Sequence, residues 1–169
     1  MESKVKILGH PIHPILIVFP LGLLATAVIF DILNLIAPND AFPTVSFWLI
    51  TAGVVGGLLA AIFGFLDWLA VTRETRAKSV GLWHGIGNVV VVLLFALSWL
   101  LRRGEPGTAP TTLAFVLSLL GAALALVTAW LGGEMVYRLR VGVDRGAHLD
   151  APSSLSDEPA APAEQRAMP

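Results

Sequence analysis

The sequence predicts an all-α integral membrane protein, a four-helix bundle running up-down-up-down with both termini in the cytoplasm. Three observations predict it. Hydrophobic residues make up 56% of the 169 and charged residues only 14%, against about 25% charged in an ordinary soluble domain. Four apolar runs, each at or above the roughly 20 residues that cross hydrocarbon as a helix, are separated by short polar breaks. The cations are unevenly shared between alternate breaks. Long unbroken runs exclude barrel strands, whose signature is short alternating segments.

The first run spans about residues 15–36 and is interrupted by Pro20, expected to kink it, and by Asp31. Lys4 and Lys6 resemble a signal-peptide n-region, but the run is too long for an h-region and contains Asp31, so it reads as a retained span. The second run, 45–71, carries no charge before Asp67. The third, 80–101, contains His84 and Asn88; the fourth, 111–137, is uncharged until Glu134. Short connections make successive helices antiparallel neighbours. Residues 1–145 thus form one four-helix domain. Residues 146–169, rich in Ala, Pro, Ser and acids and free of aromatics, read as a disordered cytoplasmic tail.

Orientation follows from Lys and Arg. Lys4, Lys6, Arg73, Arg76, Lys78, Arg138, Arg140, Arg145 and Arg166 fall on one side, and only Arg102 and Arg103 on the other. The positive-inside rule places the richer side in the cytoplasm. A net charge of −1 gives no field for nucleic acid. The absence of cysteine excludes disulfides, iron–sulfur clusters, thiolate metal sites and covalent c-type haem attachment. The lipid bilayer is the expected partner. A Gly-rich second helix packs either within one bundle or between copies of a homo-oligomer.

With this topology five polar residues fall at one depth: His10 and His13 at the entrance of the first helix, Asp67 in the last turn of the second, His84 in the first turn of the third, and Glu134 in the last turn of the fourth. Gly53, Gly56, Gly57, Ala60, Gly64 and Asp67 share one stripe at about 100° per residue, which turns Asp67 inward. Gly81, His84, Gly87, Asn88 and Ser98 share another; Gly121, Ala125, Thr128 and Gly132 a third, with Glu134 off its line. His13 and Asp31, 18 residues apart, fall on one side of the first helix. Each hairpin opens on a histidine and closes on a carboxylate, a faint internal repeat of the parallel kind. Trp48, Trp68, Trp83, Trp99, Trp130 and Tyr137 read as interfacial anchors.

Three histidines and two carboxylates suit a divalent metal (Fe, Zn or Mn) held between helices. In the other cofactor reading, His13 and His84 are axial ligands of a b-type haem, with Arg73, Arg76 or Lys78 for its propionates; the carboxylates then stay unexplained. The bland reading pairs Asp67 with Arg73 and Glu134 with Arg138, and lets His84 hydrogen-bond Asp67. In the metal and haem readings the chain serves electron transfer with a redox partner protein; in the bland one it is a structural or accessory subunit whose cluster only ties helices.

Gly9-His10-Pro11-Ile12-His13-Pro14, followed by Phe19-Pro20-Leu21-Gly22, resembles the opening of a bacterial family of predicted membrane proteins, domain of unknown function twenty-two thirty-one. Gly64 with Asp67, His84, Gly132-Gly133-Glu134 with Tyr137, and Val141-Gly142-Val143 are similar to its later marks. The resemblance covers about residues 5–143. It implies a four-helix protein of the bacterial inner membrane with no assigned activity, and it leans toward a redox setting through relatives fused to Rieske-type or cytochrome domains.

Overall fold

The computed structural model describes residues 2–161. Two short strands come first, β1 (Lys6–Ile7) and β2 (His10–Pro11), paired antiparallel. Leu8 and Gly9 turn between them with φ of 50° and 82°, the left-handed pair that a two-residue hairpin turn requires. Helices follow: α1 (Ile12–Leu16), α2 (Val18–Ile36), α3 (Ala41–Ala70), α4 (Arg76–Arg102) and α5 (Thr112–Gly133), the last extended by one wide π turn, Glu134–Arg138.

Four spans are long and apolar enough to cross a membrane: Ile12–Ile36, Ala41–Ala70, Arg76–Arg102 and Thr112–Arg138. The first span starts earlier than hydropathy suggests, so His13 stands inside a helical turn and not ahead of it. It is interrupted at Ile17. Pro20 explains the break: it has no N–H for the Leu16 carbonyl, and its ring crowds that turn. The third span also starts early, because Thr75 sets its beginning, its hydroxyl accepting from Lys78 N at 3.2 Å. Capping, not hydrophobicity, fixes that end. Thr111 does the same for α5, accepting from Ala114 N.

Successive helices run antiparallel. Residues 13, 20, 24 and 27 of the first span meet 60, 57, 53 and 46 of α3 in turn. Residues 84, 95 and 98 of α4 meet 128, 121 and 114 of α5. Between the hairpins, Gly57 lies against Val92, and Trp99 Nε1 donates to Thr51 Oγ1 at 2.7 Å. The core between them is Leu24, Ala27, Val28, Ile50, Val91 and Phe95. Most other large apolar side chains face outward, as lipid contact requires. Trp48, Trp83 and Trp130 are on that outer surface. Trp99 stacks on Phe47, and Trp68 Nε1 donates to the Lys78 carbonyl, so both also pack helices together.

Residues 146–161 carry turns and neither helix nor strand. They fold back on the entrance hairpin, where Ser154 Oγ donates to Leu8 O at 3.0 Å and lies 3.2 Å from His10 Nε2. The rest of the expected disordered tail, and Arg166 with it, lies outside the described residues.

Candidate functional site: paired histidines on an internal axis

His13 and His84 come from opposite hairpins and meet between them, ring centres 6.3 Å apart and planes at 88°. The two are held alike. His13 Nδ1 donates to the Ala60 carbonyl at 2.9 Å, and His84 Nδ1 to the Thr128 carbonyl at 2.9 Å. A carbonyl only accepts, so both rings carry a proton on Nδ1 and turn Nε2 away from that bond. Each ring also lies on a glycine one turn past its carbonyl. A Cβ at Gly64 would stand 2.8 Å from His13 Cε1, and one at Gly132 would stand 3.2 Å from His84 Cε1. At Gly64 a side chain would force the ring to move, and at Gly132 it would be a tight contact.

The likeness extends along the bundle. His84 stands 71 residues after His13; Gly132 and Thr128 stand 68 after Gly64 and Ala60. The same two offsets relate Leu24 on Gly53 to Phe95 on Gly121, and Ala27 beside Ser46 to Ser98 beside Ala114. Each hairpin is therefore one structural repeat, and the two face each other about a pseudo-twofold axis. The carboxylates do not follow it. Asp67 plus 68 is Met135, one residue beyond Glu134, so the two acids point differently.

Asp67 accepts from Ser3 Oγ at 2.6 Å and from Lys4 N at 3.2 Å. It pins the N-terminal segment, and its hydrogen bonds go neither to His84 nor to Arg73. Glu134 pairs with Arg76 at 2.6 Å, across helices, and not with Arg138 one turn on; the wide π turn begins at this residue. His10 is exposed and faces the tail at Ser154. Among the described residues no three His, Asp or Glu side chains converge as a metal-holding group. The five-residue cluster expected from depth thus divides into a histidine pair and three outlying contacts.

One residue breaks the symmetry of the pair. Asn88 Nδ2 lies 3.2 Å from His84 Nε2 and 2.9 Å from the His84 carbonyl, while Asn88 Oδ1 accepts from Thr128 Oγ1 at 3.1 Å. The matching position in the first hairpin is Ile17.

At the other end of the axis lies a site that depth alone did not suggest. Arg102 donates to both oxygens of Asp31, at 2.8 and 2.7 Å, and the two side chains are only 4% and 1% exposed. Three hydroxyls enclose the guanidinium: Ser46 accepts from Nη1, Ser118 from Nη2 and Ser98 from Nε. The signal was present in the sequence. Asp31 follows His13 by 18 residues, and Arg102 follows His84 by the same number.

The class is a helical membrane protein of four candidate spans built from two like hairpins. The chain belongs to the family described as Predicted membrane protein (DUF2231), which matches residues 9–145. No curated protein and no solved structure matches it.

Proposed function

We propose that this protein is a bacterial inner-membrane subunit, both termini cytoplasmic, whose His13–His84 pair binds a metal centre that serves electron transfer. One observation carries the reading: two imidazoles from opposite hairpins meet with their Nδ1 atoms tied to backbone carbonyls. This is how proteins orient metal-ligating histidines toward Nε2 coordination. With the rings 6.3 Å apart, the Nε2 atoms are the nitrogens that the carbonyl bonds leave over for a metal.

The donor set fits a b-type haem iron or a single divalent ion held by two imidazoles. It does not fit a histidine–carboxylate site, since Asp67 and Glu134 are engaged elsewhere. The bound metal would supply the redox couple. The chain supplies orientation through Ala60 and Thr128, close packing through Gly64 and Gly132, and an apolar core on the far side. Asn88 must leave His84 Nε2 for the metal to take its place. The orientation in the membrane is supported by the cation bias, sharpened by the burial of Arg102 against Asp31, which leaves Arg103 as the free cation of the poorer side among the described residues.

A second reading is favoured by Asn88 itself: a capped His84 Nε2 is what a purely structural tie between hairpins would show. Optical spectra before and after dithionite, with metal analysis of detergent-purified protein from cells supplied with haem and metals, decide between them. A Soret band or a stoichiometric metal, lost in both His13→Ala and His84→Ala, is expected. Neither signal in the wild-type protein would sink the metal reading. A fall in thermal stability of His84→Ala alone would then mark the tie.

A further inference from the structure

We infer that Asp31–Arg102 is a recognition element between the two repeats: it makes hairpin one accept hairpin two and reject a second copy of itself. The pair occupies equivalent positions of the two hairpins, 71 residues apart, and meets between them in a layer sealed from water. The rest of that layer is neutral, and its hydroxyls gather on the Arg102 side: Ser118 answers to Ile50 in the first hairpin. Ser46 donates to Ala27 O, and Ser98 to Ala114 O; these are matching pairs with the hydroxyl on opposite helices. The small residues and apolar packing carry no charge that would tell one hairpin from the other. The charges would not. Two copies of hairpin one would bring Asp31 to Asp31, and two copies of hairpin two would bring Arg102 to Arg102. A buried charge without a counter-ion is strongly disfavoured, and in hydrocarbon there is no water to relieve it. The bidentate fork of arginine on carboxylate also fixes the register of the two halves along the axis. Buried polar groups that select a partner at a cost in stability are the best-attested use of such pairs.

Two arms on the full chain test this. In the first, Asp31→Arg, Arg102→Asp and the double reversal are compared by the yield of monodisperse protein in detergent. Each single reversal is expected to lower yield at least about tenfold, and the double to recover at least about threefold over the singles, because it restores the charge pair although the hydroxyls around the arginine have no equivalents near position 31. In the second, Asp31→Leu with Arg102→Leu keeps the layer packed but removes discrimination. Hairpins then exchange between copies, so two differently tagged chains co-purify at least about fivefold more than wild-type chains do. A double reversal no better than the singles, or a Leu/Leu chain that co-purifies no more than wild type, overturns the proposal. A merely structural salt bridge would leave the second readout unmoved.

Discussion

Gly64→Ala offers a direct measure of how tightly the histidine pair is held. The added Cβ would stand 2.8 Å from His13 Cε1 and 2.9 Å from Nδ1, distances that real side chains do not tolerate. The ring cannot simply retreat, since its Nδ1 is anchored to Ala60 one turn away on the same helix. Overpacking of this kind costs about 1–3 kcal/mol, and loss of the hydrogen bond adds about 1 kcal/mol. Alanine returns about 1 kcal/mol in helix propensity. The net expectation is a loss of about 1–3 kcal/mol. Gly132→Ala meets His84 at 3.2 Å, a gap the neighbour closes by a few tenths of an ångström, and should cost under about 1 kcal/mol net. Gly85 has nothing within 4 Å of its added Cβ; Gly85→Ala should be neutral or stabilising by up to about 1 kcal/mol. Thermal unfolding in one detergent orders the three, with about 2–4 °C per kcal/mol for a chain of this size. If Gly64→Ala melts with Gly85→Ala, His13 is not held as described, and the reasoning about the pair fails with it.

Two further substitutions separate the roles around the site. Asn88→Leu removes the donor on His84 Nε2, leaving a buried acceptor unpaired, and should cost about 1–3 kcal/mol while leaving any metal stoichiometry of the pair intact; loss of metal in that variant would make Asn88 part of the binding set. Glu134→Gln breaks a pair whose arginine is 60% exposed, so unfolding should change by under about 1 kcal/mol, and less as salt rises. A larger, salt-independent loss would show that Glu134 carries more than a surface pair.

Much of this architecture was legible before any coordinates. Hydropathy located the four spans to within a few residues, because a membrane helix is specified by composition over its whole length. The small-residue stripe of the second helix identified the face on which Gly53, Gly57 and Gly64 now pack. The Pro20 break in the first span is as expected, but the helix starts were less legible, since Thr75 acts through a single hydrogen bond that hydropathy does not weigh. The carboxylates were misread for a related reason. Depth along a helix is fixed by residue number, but direction at a helix end depends on how the last turn is wound. The wide turn at Glu134–Arg138 and the N-terminal segment that reaches Asp67 are both invisible to a 100° wheel.

The internal repeat was the clue most undervalued, because it was sought in the wrong residues. Histidine-to-carboxylate spacings of 54 and 50 disagree, because the carboxylates do not follow the axis. Histidine-to-glycine spacings of 51 and 48, with carbonyls four residues earlier in both cases, describe the same geometry twice. The 18-residue step from each histidine to a charged partner is identical in both hairpins. The two repeats match where helices touch, through glycines, carbonyls and the buried charge pair. The carboxylates, engaged with Ser3 and Arg76 outside that seam, fall one position out of register. The shared 18-residue step pairs Asp31 with Arg102 in the sequence itself, and the contacts place the two polar layers on one axis with the apolar core of Leu24, Val91 and Phe95 between them.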